Sequence, residues 1–412
     1  MAVQGEQENR HWLVEYNTIQ RAGDFINMDG TFHIIRNNFI HDYSDSYWTA
    51  GAGHPDVFQP FNITNHVYEA NVSGDSRSGH SHWLQIRDPG TNVIFRGNIG
   101  YNFGSYALQA GAVDHVVMYH NTFHDLGNIS TGNPFGYNAE NGNPSLDNHF
   151  FNNIVHTATG NVLLSPSGGS TVSASHNIGY RAPSHASVIS TSDPLLVNPA
   201  GRRFELQGTS PAINAGRAIT TITSPSGSGN SFNVSNPKFF CDGWGITGGD
   251  LINVGANPPV RITRVANNTI TTDAPVTWTT GTEVYWRTQD GRPDIGGYEF
   301  RSGGYTFGVA LISPSQGTVV SGPTTLTASV SNPECVRFVM FYANGVPVAQ
   351  AMKAPYTASW VPREEGAVNL EARAYALYAG TNSVQTARIT VNANADGIQR
   401  PAPPSNLRVV TQ

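Results

Sequence analysis

Lysine is nearly missing from this sequence: Lys238 and Lys353 are the only two in 412 residues, and neither lies in the first 200. Charge of both signs is sparse, 13% of residues, and 23 basic against 29 acidic side chains leave a net charge of −6. A broad positive surface is therefore excluded, and with it electrostatic binding to nucleic acid. The two cysteines, Cys241 and Cys335, fall in what read as different domains and show no zinc spacing, which excludes a disulfide framework. No apolar run reaches the length of a membrane span. The opening "MAVQGEQENRHW" has neither the basic nor the apolar region of a signal peptide. Patterned sequence begins abruptly at His11, so the chain is expected to be a piece of a longer protein. Nucleotide-binding loops, metalloprotease helices and nucleophile elbows are absent from the sequence too.

What is abundant is glycine, 43 residues, with many Asn, Ser and Thr and 25 prolines. That mixture indicates an all-β chain of short strands joined by tight turns. All 14 histidines lie between His11 and His185, which sets the first 200 residues apart. Seven segments in that region align on an Asn: "LVEYNTI" (Asn17), "IIRNNFI" (Asn38), "VYEANVS" (Asn71), "VIFRGNIG" (Asn98), "VVMYHNTF" (Asn121), "HFFNNIV" (Asn153) and "VSASHNIG" (Asn177). Apolar residues alternate before each Asn, the period of a strand. A second strand follows, such as "DVFQPF", "HWLQIRD", "YALQAG" or "NVLLSPS". One such unit cannot bury its apolar face alone, so the units must stack, with the Asn amides bonding along the pile. The expected result is a parallel β-helix of seven coils, about 35 Å long at about 4.8 Å per coil and right-handed by the usual connection rule.

These segments resemble the right-handed parallel β-helix proteins, among them pectate-lyase-like enzymes, polygalacturonase-like hydrolases and phage tailspikes. The stretches "SDPLLVNPAGRRFELQGTSPAINAG" (192–216) and "DGRPDIGGYEF" (290–300) resemble the closing coils of bacterial secreted members. Between them, 239–286 looks like a small β-barrel-like insert found in that group. From Thr306 the strands are spaced as in a sandwich and resemble the immunoglobulin-like modules appended to bacterial secreted enzymes, with "YANGVPV" marking a tight hairpin. "RPAPPSNLRVVTQ" (400–412) is similar to a linker and the first strand of a fibronectin type III module. The expected organisation is a β-helix over 1–216, an insert and closing coil over 217–305, an immunoglobulin-like sandwich over 306–395, and a linker with a truncated module over 396–412. The resemblance implies a secreted or surface-exposed protein; nothing in the repeat specifies an oligomeric state.

Chemistry is sought in a near-repeat. "GHPDVFQ" (53–59), "GHSHWLQ" (79–85) and "GSYALQ" (104–109) put Gln59, Gln85 and Gln109 in one column, continued by Glu140 and Ser165. Three residues earlier the column reads Asp56, His82, Tyr106, Tyr137, and Arg87 follows Gln85 by two. The loops feeding this patch carry Trp48, His54 and His80, and Trp83 lies in the strand itself; with the three glutamines these are the candidate substrate-binding residues. Such a patch suits an acidic polysaccharide cleaved by β-elimination. Arg87 would pair with the uronate carboxylate, His82 would take the proton, and Tyr106 or Tyr137 would protonate the leaving oxygen. Asp56 or Glu140 would orient the histidine or help hold Ca²⁺. Many β-helix lyases use a lysine base, and this helix has none.

Hydrolysis needs two carboxylates roughly 5–10 Å apart. Asp56 and Glu140 would be about 15 Å apart across three coils, which leaves Asp42 or Asp45 as partners. The reading from another class is a non-catalytic adhesin or structural solenoid. Two further columns read as structural: His41, Tyr101, His124, His156 and Tyr180 as turn fillers, and Glu15, Arg36, Glu69 and Arg96 as charge pairs on an exposed face. The run 290–294 is expected to form a turn that closes the domain.

Overall fold

A computed structural model describes residues 3–5, 9–22, 24–43, 55–76, 81–87, 89–126, 134–157, 163–182, 185–286, 288, 291–304, 306–376 and 384–394. The chain forms two compact units, Met1–Gly304 and Tyr305–Gln412. It is all-β, with no α-helix among the described residues.

The first unit is a coil of three strands per turn, stacked in parallel into three sheets. Sheet A runs through Val3–Gly5, Ile26–Met28, Asp56–Phe58, His82–Ile86, Leu108–Gly111, Phe135–Asn138 and Leu164–Pro166. Sheet B holds Leu13–Glu15, Gly30–Arg36, Ile63–Glu69, Gly90–Arg96, Val113–Tyr119, Asn148–Phe151 and Val172–Ser175. Sheet C holds Thr18–Gln20, Phe39–Tyr43, Val72–Ser76, Ile99–Phe103, Thr122–Leu126, Ile154–Thr157, Asn177–Tyr180 and Val188–Ser190.

The turn from sheet B to sheet C is the same in every coil. A residue with left-handed backbone (Tyr16, Asn37, Ala70, Gly97, His120, Asn152, His176; φ between 51° and 63°) bends the chain, and the repeat Asn follows it. That Asn points inward. The Asn71 amide nitrogen donates to Asn98 Oδ1 at 3.1 Å and to the Ile35 carbonyl at 2.9 Å, while Asn98 Oδ1 also accepts the Asn71 backbone N–H at 2.9 Å. The pattern repeats from Asn17 to Asn177. From Asn38 to Asn177 each rung is buried and satisfies polar groups that have no access to water, so deleting one strands several at about 1–3 kcal/mol each, partly offset by relaxation. Asn98→Ala is expected to cost about 2–3 kcal/mol in denaturant unfolding, and a cost below about 1 kcal/mol would contradict this role for the rung.

Sheet B is buried on both faces. Ile35, Tyr68, Phe95 and Met118 point into the coil. Their neighbours Ile34, Val67, Ile94 and Val117 point outward, where Phe239, Ile252, Val284 and Trp286 cover them. Ile252, Val284 and Trp286 belong to an antiparallel six-stranded sheet ordered Thr220–Thr221, Glu283–Trp286, Leu251–Val254, Val260–Ala266, Thr269–Trp278, Gly227–Asn233, and Phe239 to the 3₁₀ turn Pro237–Phe239 beside it. The charge column is therefore paired but not exposed. Arg36 bonds Glu15 at 2.7 Å near the open end, whereas Arg96 and Glu69 are 1% and 7% exposed, sealed beneath the added sheet with Asp250.

Sheet C is covered by the segment after the last coil, where the Phe204 ring lies 5.1 Å from Tyr101 and 5.9 Å from His124. The chain then returns at 291–300. Asp294 accepts the Asn214 N–H at 2.7 Å, and Gly296 N–H donates to the Asn152 carbonyl at 2.9 Å. Gly296 has φ 107°, a conformation that side chains rarely adopt, and a Cβ there would lie 2.7 Å from Ile154 Cδ1 and 2.9 Å from Thr122 Oγ1, so glycine suits the point where this strap meets the coils.

The second unit is a two-sheet sandwich. Three strands (Val309–Ser313, Thr324–Val330, Tyr356–Trp360) face five (Val319–Val320, Val384–Ala393, Gly366–Ala376, Val336–Ala343, Val346–Ala351) over a core of Leu326, Phe341, Trp360, Leu370 and Val391. The Asn344-Gly345 turn has φ of 48° and 79°, as a two-residue hairpin requires. Neither cysteine forms a disulfide, and both are buried, one in each unit.

Candidate functional site

Sheet A carries the glutamine column. Its inward column is apolar, with Ile26, Phe58, Leu84, Leu108, Phe135 and Leu164. Strand alternation turns the next residue of each coil outward, giving Gln59, Gln85, Gln109, Gly136 and Ser165. Gln59 Nε2 donates to Gln85 Oε1 at 2.8 Å, and Gln85 Nε2 donates to Gln109 Oε1 at 2.6 Å. Arg87, half-buried at the far end of the same strand, donates from Nη2 to Gln109 Oε1 at 3.2 Å.

The other end of the strand carries the titratable column. His82 pairs with Asp56 in register, and its Nδ1 lies 3.0 Å from Asp56 Oδ1. The Tyr106 ring meets the His82 ring edge-on at 5.2 Å between centroids. Asp56 is fully buried and His82 is 6% exposed. Asp24 extends the column by one coil, its Oδ1 accepting the Asp56 N–H at 3.1 Å. The sequence contains the signal for this residue: "DFIN" (24–27) has the Asp-apolar-apolar-amide form of "DVFQ" (56–59).

Three expectations are corrected. Tyr137 is not in the His82 column; it pairs with Ala110 and lies wholly inside the coil, where burial raises its hydroxyl pKa well above the ordinary value. Glu140 is not in the glutamine column, where Gly136 stands; its carboxylate fills the space above Gly111, 2.5 Å from where a Cβ would be. Trp83 is fully buried, packed edge-on against Phe58, Phe95 and Phe123. It is a core residue and contacts no external ligand. Trp48, His54 and His80, and Asp45 with them, lie outside the described residues. Asp42 is on sheet C, 3.6 Å from Arg21.

The chemistry that was to converge is spread out. His82 and Arg87 sit at opposite ends of one strand, about 16 Å apart at about 3.3 Å per residue. One cannot take a proton from the sugar whose carboxylate the other holds. Asp56 and Glu140 are three coils apart, so they share neither a glycosidic bond nor a calcium ion.

Residues 308–391 match the family described as "Bacterial Ig domain". No curated protein matches the chain. Among solved structures, the fibronectin(III)-like modules of Clostridium thermocellum CbhA are similar at 25% identity, over 21% of this chain and 93% of that one, with a TM-score of 0.18. The chain thus carries a bacterial immunoglobulin-like domain after a stack of parallel β-coils.

Proposed function

We propose that the chain is an extracellular or cell-surface protein whose sheet A binds an acidic polysaccharide without cleaving it. The observation that carries this is the difference between the three faces. Sheets B and C are covered by the chain's own later segments, while sheet A carries side-chain amides at one coil's spacing, partly exposed at Gln59 and Gln109 and buried at Gln85, with a half-buried guanidinium beside them. A ladder with a repeat of about 4.8 Å suits a polymer lying along the stack. Arg87 supplies a planar, bidentate partner for a carboxylate. The bacterial Ig domain supports a surface setting.

Arg87→Ala is expected to weaken binding to alginate, pectate, hyaluronan or an acidic capsule about 10- to 100-fold, the loss of one charge-assisted contact of about 1.5–3 kcal/mol. Unfolding should change little, and wild-type binding should fall with added salt. Glycan-array binding by the wild type and Arg87→Ala checks this; equal binding by both would remove the site. The His82–Asp56 pair beside Tyr106 favours cleavage as the second reading. Ultraviolet absorbance from an unsaturated product, lost in His82→Ala, would establish it in place of simple binding.

A further inference from the structure

Sheet C, away from the amide ladder, holds a cluster that ring stacking explains only in part. His124 and His156 occupy equivalent positions in successive coils, three residues after Asn121 and Asn153, and Tyr180 continues the column. Ring centroids are 4.4 Å apart for the two histidines and 5.0 Å for His156 and Tyr180. Stacking accounts for the rings. It does not account for the carboxylate between them.

Asp125 follows His124 with left-handed backbone, φ 54°, and the ladder shifts register there, with Phe123 opposite Val155 but Leu126 opposite Thr157. The bulge breaks strand alternation and turns two consecutive side chains to one side. Asp125 Oδ2 comes to 3.6 Å from His124 Nδ1, and Oδ1 to 3.3 Å from His156 Nδ1. His156 is 5% exposed, yet neither of its ring nitrogens makes a hydrogen bond. Leaving a buried polar group unmade is costly, and here two belong to one ring.

One ligand atom from each of the three side chains lies within 4.8 Å of the other two, a spacing that admits a metal ion. Donors around a tetrahedral ion with bonds of about 2.0–2.2 Å stand about 3.4 Å apart. The neighbouring charges are Asp193, which favours a cation at both rings, and Arg181, which opposes it and lies over the Tyr180 ring at 5.4 Å. Asp125 is 45% exposed at its side chain, so an ion can reach the cluster from solvent. A second trio, His115, Asp147 and His149, differs: each ring bonds the same carboxylate, at 2.9 and 3.1 Å, so the donors facing Asp147 are already engaged.

We propose that His124, His156 and Asp125 bind one divalent transition-metal ion, zinc by its preference for imidazole and carboxylate, with a fourth position open to water. The ion would tie two successive coils together. Titration of the metal-free full chain with Zn²⁺, and with Co²⁺ as an optical probe, tests this. The expected result is one ion per chain at this site, a tetrahedral Co²⁺ spectrum and a raised melting temperature. Asp125→Asn, which keeps a residue tolerant of left-handed backbone, and His156→Gln should each lower the affinity at least about tenfold, while His149→Gln should not. Failure of the wild type to bind, full affinity in Asp125→Asn, or an equal loss in His149→Gln would overturn the assignment.

Discussion

Arg96→Met is expected to destabilise the first unit by about 3–5 kcal/mol, the loss typical of removing one partner from a buried ion pair. Its guanidinium donates to Glu69 Oε2 from Nε at 3.0 Å and from Nη2 at 2.7 Å, to Tyr119 Oη at 3.0 Å, and through both Nη atoms to Asp250. It also lies 4.8 Å from the centre of the Trp286 ring. Methionine fills much of the volume and removes the guanidinium that bridges the buried carboxylates of Glu69 and Asp250, leaving Glu69 the electrostatic attraction of Arg36. Asp250 comes from the added sheet and Glu69 from the coil, so their repulsion acts across the surface that joins the two. Limited proteolysis should therefore cut within 217–286 before the coils. Arg96→Lys should recover little, because a single ammonium cannot serve both carboxylates in the guanidinium's planar geometry. Adding Glu69→Gln and Asp250→Asn to Arg96→Met should recover part of the loss. A cost below about 1 kcal/mol for Arg96→Met in denaturant titration would contradict this account.

Mild acid is expected to have an effect of similar size. Burial lowers the pKa of His66 to about 3 and of His120 to about 4. The geometry agrees for His120: Nδ1–H donates to the Asp294 carbonyl at 2.9 Å, and Nε2 accepts from Asn152 Nδ2 at 3.2 Å, an arrangement only the neutral ring can make. Both folded-state values are depressed below the ordinary 6.5, so below pH 6.5 the unfolded chain takes up protons that the folded chain refuses. The stabilisation is complete above about pH 6.5 and is lost as pH falls towards 4 and then 3, at about 1.4 kcal/mol per pH unit for each ring. Between pH 6.5 and 4.5 the two together remove about 5 kcal/mol. Melting temperature measured across this range should drop steeply, and His66→Gln with His120→Gln should flatten the slope. A profile level from pH 7 to 4.5 would show that these rings do not control it.

Much of this was legible in the sequence, for physical reasons. The ladder asparagines are visible because each rung must satisfy the one below, which forces the same residue at the same point of every coil. The glutamines and the Asp56–His82–Tyr106 register are visible because "DVFQ", "HWLQ" and "YALQ" keep one length. Tyr137 and Glu140 fall outside the columns that a fixed offset from the ladder asparagine assigns them, because the coil between Asn121 and Asn153 is 32 residues long. Phe135 and Tyr137 flank Gly136 as Leu108 and Ala110 flank Gln109, and that match gives the correct register. The cover over sheet B was missed although its signal is present. Ile34-Ile35, Val67-Tyr68, Ile94-Phe95 and Val117-Met118 are adjacent apolar pairs, and a strand with two apolar faces must be buried on both. The turn at Asp125 has a signal as well: Asp42, Asp75, Asn102 and Asp125 each stand four residues after a ladder asparagine, all with left-handed backbone, a conformation that Asp and Asn tolerate.

The late arrival of that cover has a consequence for how the protein is made. During synthesis the fourth and fifth coils are complete by residue 126, but the residues that shield Ile94 and Val117 come only from 219–286. For that interval a row of aliphatic side chains faces the ribosome's surroundings, the exposure that invites chaperone capture or self-association. A nascent chain stalled near residue 210 should accordingly be sticky, and one released beyond residue 300 should not.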